Sequence, residues 1–173
     1  GVFEGYTTGA PICIIIPNQN TRSKDYSKTK DLARPGHADL AARCKYHGFE
    51  DYRGGGHFSG RITAGLVAGG AIAIKALENL GIKVGTHILK CKDVFDRDFE
   101  GYESDIDSLY NKRFPVLSDC EDEMTAVITN ASENKDSAGG VLQTAIIGMP
   151  AGVGEPWFDS IESVLSHALF SIG

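Results

Sequence analysis

Several signatures of well-known chemistries are missing from this 173-residue sequence. No Gly-Lys-Ser or Gly-Lys-Thr occurs, which excludes a Walker A phosphate loop, and no glycine-rich segment has the spacing of a dinucleotide-binding fingerprint. The four cysteines are scattered without a C-x-x-C pair, and no two histidines have metal-ligand spacing. We therefore expect no metal, reduced thiols and a cytoplasmic location.

Long hydrophobic runs are also lacking. The longest uninterrupted apolar run covers residues 12–16, far below the roughly 20 residues that cross a membrane as a helix. Apolar residues make up 42% of the chain and charged residues 23%, which is ordinary for a soluble globular protein. We expect no membrane partner and a single domain over residues 1–173, which is long enough to bury a core.

Positive charge is scarce overall but concentrated in one segment. The chain carries a net charge of −6, whereas residues 22–61 hold nine Lys/Arg against five Asp/Glu. A local positive excess on an acidic protein indicates a site for an anion rather than a solvated face. We expect a small phosphorylated ligand and no nucleic-acid partner. Residues 93–136 show the reverse, with thirteen Asp/Glu against four Lys/Arg, and we interpret them as a solvated surface segment.

Three consecutive glycines, Gly54, Gly55 and Gly56, lie inside the basic segment just before a predicted helix. Glycine adopts positive φ without strain, so its backbone N–H groups and those of the helix start could bind phosphate or another anion. A tight structural turn is an equally good interpretation of a triple glycine.

Hydrophobic patterning predicts a first strand and a long helix. The proline-bracketed, β-branched run over residues 11–17 predicts a buried strand, with residues 1–6 as its hairpin partner. A helix capped by Ser59 should extend to about Leu80 and end at Gly81. This helix is rich in Ala and Gly and apolar on most faces, so we expect it to be central and close-packed.

The second half of the chain continues the alternation of strands and helices. Residues 83–89 and 140–149 predict strands, and Ser118 with Glu121 forms the sequence of a capping box that opens a helix. Glu155 and Pro156 predict the start of the last helix. Alternating strands and long helices are typical of an α+β or α/β layered domain.

Three side chains in the basic segment are candidates for a functional site. His37, beside Asp39 in a Pro-Gly turn, could transfer a proton near neutral pH, or it could be a structural histidine. Arg34 and Arg61 offer planar forks that match phosphate or carboxylate, with a structural ion pair as the alternative. We expect Arg34, His37 and Arg61 to converge on one pocket.

Four motifs in order carry a resemblance to a known family. They are GVFEGYTTG at the start, RPGHAD followed by DYRGGG, DSAGGVLQTAIIGMPAGVGEP over residues 136–156, and the Ser-Ile pair at 171–172. Together they resemble chorismate synthase over nearly the whole chain. His57 departs from the family pattern, where arginine is usual. The family's chain is about twice as long, so we interpret this chain as a central fragment that is inactive by itself.

The resemblance implies a fold and an activity. The fold would be α+β, a layered β-α-β sandwich around a long central Ala/Gly-rich helix. The activity would be that of a phosphate-lyase of the shikimate pathway of aromatic amino acid biosynthesis, which eliminates phosphate and a proton from 5-enolpyruvylshikimate 3-phosphate to give chorismate. The alternative is a non-catalytic phosphate-binding or assembly domain.

The resemblance also implies a cofactor, site residues and an assembly. The family requires reduced FMN and forms homotetramers; whether this protein reduces its own flavin with NADP chemistry stays open. His37 would work in proton transfer, and Arg34 and Arg61 would hold the substrate. The flavin contacts would be His57, Phe58, Ser59 and Gly173, with shaping of the loop as an equal alternative for His57.

Overall fold

The computed structural model describes residues 1–19 and 26–172, so the expected flavin contact Gly173 lies outside the described residues. The chain divides into two compact units. Unit 1 comprises Gly1–Ile72 and Val164–Gly173, and unit 2 comprises Ala73–Ser163. The expectation of one domain over the whole chain stays a prediction.

Unit 1 opens with a short antiparallel hairpin of β1 (Val2–Phe3) and β2 (Tyr6–Thr7). The predicted buried strand over residues 11–17 is wrong, because these residues form no strand and Ile15 is 82% exposed. A strand needs a neighbour for its backbone N–H and C=O groups. The two segments of the opening hairpin pair with each other, and no other strand of the described residues pairs with the isoleucine run.

Two helices flank the glycines in sequence. Helix α1 (Asp39–Tyr46), which the sequence reasoning missed, ends at His47 in a left-handed conformation. Two short 3-10 segments, Arg53–Phe58 and Gly60–Ile62, then lead into α2 (Thr63–Glu78). The predicted cap is confirmed, since the Ser59 hydroxyl accepts a hydrogen bond from the N–H of Arg61 at 3.3 Å.

Helix α2 has the predicted extent but not the predicted packing. Gly81 follows it with φ of 76°, as expected for the end of a helix, yet no residue of α2 is buried within the described chain. Residues 60–78 are long and apolar enough to span a membrane, with mean hydropathy 1.3. One such helix is weak evidence, because the core helix of a soluble protein passes the same test. A search for uninterrupted apolar runs does not detect this helix, because its glycines interrupt each run although its mean hydropathy is high.

Unit 2 is built on a three-stranded antiparallel sheet. Its central strand β3 (Lys83–Cys91) lies between β4 (Val94–Phe95) and β5 (Gly140–Ile147). The β3–β5 register pairs Lys83 with Ile147 and shifts between Ile88 and Lys90. Both long strands were predicted, and the α+β class is confirmed.

Two helices supply the apolar core of unit 2. Helix α3 (Tyr102–Leu109) packs on β3 and β5, with Ile106 fully buried. Helix α4 (Glu121–Glu133) contributes Met124 to a second cluster that includes Val116 and two buried cysteines, Cys91 and Cys120. Burial of such side chains is the main force that stabilises this unit.

Two predicted helix starts are wrong. Helix α4 has Cys120 at its N-cap position without a side-chain cap, because the Ser118 hydroxyl donates instead to Asp96 Oδ1 at 2.6 Å. The last helix, α5 (Ile161–Leu169), begins after Glu155 and Pro156, and the Ser160 hydroxyl accepts the N–H of Ser163 at 3.3 Å. In the first case the predicted cap residue bonds to another partner, and in the second Ser160 occupies the cap position that was predicted at Glu155.

The acidic segment is not solvated throughout, and two of its aspartates are buried. Asp105 accepts hydrogen bonds from both Nη atoms of Arg97, at 2.9 and 2.7 Å, and from two backbone N–H groups. Asp96 lies beside His87, whose side chain is fully buried. The solvated-surface interpretation is therefore wrong for these two carboxylates.

Candidate functional site

The segment RPGHAD folds into a turn followed by the first helix. Pro35 and Gly36 occupy its centre, Gly36 has φ of 70°, and the N–H of His37 donates to the carbonyl oxygen of Arg34 at 3.3 Å. Proline followed by a residue of positive φ is typical of a type II turn. The turn places Arg34 and His37 at the start of α1, next to its first residue Asp39.

Asp39 is the centre of a small hydrogen-bond network. Its Oδ2 accepts from the backbone N–H of Arg34 at 3.0 Å and from Arg34 Nε at 2.7 Å, while its Oδ1 accepts from Arg34 Nη2 at 2.8 Å. His37 Nδ1 lies 2.7 Å from the same Oδ1. All three side chains are half-buried. The carboxylate therefore fixes both neighbours.

The network sets the charges of this pair. Hydrogen bonds from the Arg34 side chain hold the pKa of Asp39 well below its usual value, and they raise the pKa of Arg34. Both groups are consequently charged at neutral pH. The Nε and Nη2 edge of Arg34 is occupied by Asp39, so an incoming anion could meet only the Nη1 side of this guanidinium.

The glycine loop has the conformation that only glycine adopts without strain. Gly54, Gly55 and Gly56 have φ of 67°, 87° and 51° in succession. Gly55 is buried, and a Cβ atom on it would lie 3.1 Å from His37 Nε2 and 3.2 Å from Cε1. The histidine ring thus lies directly against the backbone of the loop.

Three depressions surround this glycine loop. The largest is a groove of about 1010 Å³ lined by Gly54, Gly56, Ser59, Arg61 and apolar residues of the isoleucine run and α2. A second, of about 320 Å³, is lined by Gly56, His57 and Phe58, together with α1 and the segment after it. A third, of about 120 Å³, is lined by Arg34, Asp39 and Gly55.

The structure therefore distributes the expected site residues over different sides of one loop. Ser59 and Arg61 line the groove, whereas His57 and Phe58 are both exposed and line the second depression. There the ring centroids of Phe58 and Tyr46 lie 6.2 Å apart. Arg34 belongs to the third depression and does not line the groove. Arg34 and His37 converge as expected, whereas Arg61 does not join them in one pocket.

Two functional elements of the site were not identified from sequence. Asp39 was noted only as a neighbour of His37, and the contact between Gly55 and His37 joins positions 18 residues apart. The signal for Asp39 was its position two residues after His37 and five after Arg34. No sequence pattern marks the glycine contact, which arises from folding.

Comparison with known proteins identifies the family. A family model described as chorismate synthase matches residues 1–173. Proteins named chorismate synthase from Chitinophaga pinensis, Korarchaeum cryptofilum and Methanocaldococcus jannaschii are 46%, 42% and 44% identical to this chain over 99% of its length. The chain spans 43%, 48% and 48% of those proteins, which is less than half of each.

A solved structure gives the same result. The crystal structure of a chorismate synthase is similar to this chain with a TM-score of 0.67 and 26% identity, over 78% of this chain and 44% of that one. The resemblance inferred from the four motifs is confirmed, and the α+β class agrees with that neighbour.

Proposed function

This chain belongs to the chorismate synthase family, and from that premise we propose that it forms part of a phosphate-lyase converting 5-enolpyruvylshikimate 3-phosphate to chorismate. In this reaction the C–O bond to phosphate breaks, one proton leaves a carbon atom, and a C=C bond forms. No net oxidation or reduction occurs. The product feeds aromatic amino acid biosynthesis.

The observation that carries the proposal is the environment of Arg61. Within the described part of the chain its guanidinium forms no ion pair, whereas Arg34 is occupied by Asp39. Arg61 lines the groove at the start of α2, where helix N–H groups and the positive end of the helix dipole favour an anion. A phosphate or carboxylate of the substrate could accept two hydrogen bonds there from the Arg61 guanidinium.

The groove also suits the flavin that the family uses. Its volume of about 1010 Å³ is at the upper end of the range for ligand pockets, and Ile14, Ile16 and Ile62 give it an apolar wall for a planar ring. Ser59 and Arg61 supply polar groups at the same groove. His57 and Phe58 line the separate depression beside Gly56, and we propose them as flavin contacts on the family resemblance alone. Reduced FMN would lend electron density as phosphate leaves.

His37 is the residue to which we assign proton transfer. Its ring lies against Gly55, between the two glycines that line the groove, and its side chain is 27% exposed. An imidazole in that position is reachable by a ligand and able to take or give a proton near neutral pH. Arg34 would help to hold the anionic substrate through its remaining Nη1 side.

We extend the proposal to assembly and location. A homotetramer would agree with the apolar residues that α2 leaves exposed, because such patches mark surfaces that another part of a protein covers. A cytoplasmic location would agree with a biosynthetic enzyme. By itself, the 173-residue chain should have little or no turnover, since the relatives are about twice as long.

The test uses the full-length protein under anaerobic conditions with chemically reduced FMN. We expect chorismate and phosphate to form in equal amounts, and His37→Ala to lower turnover about 10²- to 10⁴-fold, the usual contribution of a positioned acid or base. A non-catalytic anion-binding domain would bind the substrate and form no chorismate. An assembly domain would bind neither substrate nor flavin, and either result would overturn the proposal.

A further inference from the structure

The hydrogen bonds around Asp39 determine which nitrogen of His37 carries a proton. An ionised carboxylate only accepts hydrogen bonds and has about four sites for them. Three are filled by N–H groups of Arg34, and the fourth faces His37 Nδ1 at 2.7 Å. Since the pKa of Asp39 is lowered by its hydrogen bonds with Arg34, the carboxyl group carries no proton of its own at neutral pH. Nδ1 must therefore be the donor.

The second ring nitrogen has no such partner in the plane of the ring. Arg34 Nη2 lies 3.2 Å from Nδ1 and 3.4 Å from Nε2, so it lies over the face of the imidazole and not along the lone-pair direction of either nitrogen. These two contacts therefore do not select a tautomer. The hydrogen bond from Nδ1 to Asp39 selects it, and the Nε2 of a neutral ring then carries the lone pair.

We propose that Asp39 is a positioning residue that holds neutral His37 in its Nδ1–H tautomer, leaving the Nε2 lone pair beside Gly55 as the atom that takes and returns the proton. The proposal rests on the proton-transfer role of His37 given above. It goes further in naming the reactive atom and the group that selects it. The hydrogen bond made by one ring nitrogen of a histidine fixes what the other can do.

The position of Nε2 supports the assignment. A Cβ on Gly55 would come within 3.1 Å of this atom, so only a glycine lets the ring edge reach the loop. The loop's neighbouring glycines line the large groove. A purely structural Arg-His-Asp cluster would hold the same tautomer, so the two roles are separated by turnover measured together with the tautomer, and not by the tautomer alone.

The experiment is nitrogen-15 NMR of the full-length protein with labelled histidine, at a pH where the ring is neutral. The signal of His37 is assigned by its loss in His37→Gln. We expect a pyrrole-type shift for Nδ1 and a pyridine-type shift for Nε2. The reverse pattern, or an equal mixture, would overturn the proposal even if the Asp39 variants do not fold.

The sharpest variant is Asp39→Asn. Its amide oxygen is required by the backbone N–H and Nε of Arg34, so its NH₂ group must occupy the Oδ1 position and donate to Nδ1. The ring proton then moves to Nε2. We expect the two nitrogen shifts to exchange and turnover to fall about 10²- to 10⁴-fold, with FMN affinity changed less than about twofold. Asp39→Glu, which keeps an acceptor-only group, should retain the Nδ1–H tautomer.

The matched control is Asp31→Asn, the same change at an exposed carboxylate of unit 1 that pairs with Arg43 at 3.1 Å. It should leave both the His37 shifts and turnover unchanged. Unchanged shifts in Asp39→Asn would overturn the proposal. If the wild-type protein makes no chorismate but shows the Nδ1–H tautomer that Asp39→Asn reverses, the proposed function fails while the positioning role of Asp39 stands.

Discussion

Two histidine–aspartate pairs in this chain have nearly the same geometry and different surroundings. In unit 1, His37 Nδ1 lies 2.7 Å from Asp39, and the side chains are 27% and 24% exposed. In unit 2, His87 Nδ1 lies 2.8 Å from Asp96, and both side chains are fully buried. The distance between the partners therefore says little about the role of either pair.

Both side chains of the buried pair form hydrogen bonds with further residues. His87 Nε2 lies 2.9 Å from Oε1 of Gln143, whose amide N–H₂ group donates to Asp98 at 2.8 Å, so both ring nitrogens of His87 have hydrogen-bond partners. Asp96 also accepts from the backbone N–H groups of Leu117 and Ser118 at 2.6 and 2.8 Å. Every group in this network has its partner, as a buried network requires.

In the half-exposed pair, only one of the two histidine ring nitrogens is bonded to the aspartate. His37 commits Nδ1 to Asp39, and its Nε2 lies against Gly55 of the glycine loop, whose residues line the neighbouring depressions. A fully satisfied histidine can only stabilise a fold, whereas a half-committed one can transfer a proton. The same contrast holds for the arginines, since Arg97 is bound by Asp105 and Arg61 forms no ion pair in the described residues.

The largest expected effect is on stability. His87→Ala should lower the free energy of unfolding by about 3–5 kcal/mol, because it removes the side chain that pairs with the buried Asp96 carboxylate and with the half-buried Gln143 amide. His37→Ala should cost less than about 1 kcal/mol, as is usual for an ion pair in contact with water. Urea unfolding of the full-length protein, followed by circular dichroism, measures both. Equal losses would remove the distinction between the pairs.

The arginines extend the comparison to binding. Arg61→Ala should weaken binding of the phosphorylated substrate to the FMN-loaded full-length protein by about 1.5–3 kcal/mol, the contribution of hydrogen bonds to a charged group. Arg97→Ala should leave that affinity unchanged and lower stability instead, because its two hydrogen bonds go to Asp105. Isothermal titration measures the affinities, and an unchanged affinity in Arg61→Ala would exclude it from the site.

The glycine loop offers a pair of adjacent variants. Gly54→Ala should cost about 1–2 kcal/mol of stability for a positive φ, without displacing a described neighbour, since no atom of residues 1–19 and 26–172 lies within 4 Å of its Cβ position. Gly55→Ala should add displacement of His37, whose Nε2 lies 3.1 Å from the new atom. Only the second variant should shift the His37 nitrogen signals in NMR. Identical spectra for both would show that the contact with Gly55 does not hold the ring.

The smallest expected effect concerns acid stability. Burial pushes the pKa of Asp96 upward, but hydrogen bonds from Ser118 and the backbone outweigh it, so its folded-state pKa lies below the ordinary value of 3.8. Its stabilising contribution is therefore complete above pH 3.8 and is lost as pH falls further, through the lowered folded-state value. Asp96→Asn should flatten this acid loss in urea unfolding.

Added salt should distinguish the contributions of Asp39 and Asp96 to acid stability. The pKa of Asp39 is lowered as well, so its contribution has the same sign and disappears in the same direction of pH. Water and ions reach the half-exposed pair, and at about 1 M salt the screening length is only about 3 Å. High salt should therefore reduce the difference between wild type and Asp39→Asn more than that between wild type and Asp96→Asn. Equal salt effects would contradict the difference in burial.

The sequence determined those features whose causes lie within a few residues. The RPGHAD turn follows from Pro35 and Gly36, and helix α2 follows from the Ser59 cap, its apolar composition and Gly81. The long strands β3 and β5 follow from their β-branched content. The motifs sufficed to identify the family, since they are short and their order is linear.

Tertiary structure decided which groups meet. The isoleucine run over residues 11–17 forms no strand because strand formation needs a partner, which a local pattern cannot supply. Asp96 draws the Ser118 hydroxyl away from the predicted helix cap, and Gly55 meets His37 across 18 residues. The two histidines look alike in sequence, and only folding buries one with all its partners and leaves the other with a free nitrogen. Burial and hydrogen-bond competition depend on residues distant in the chain, so they are settled by the fold.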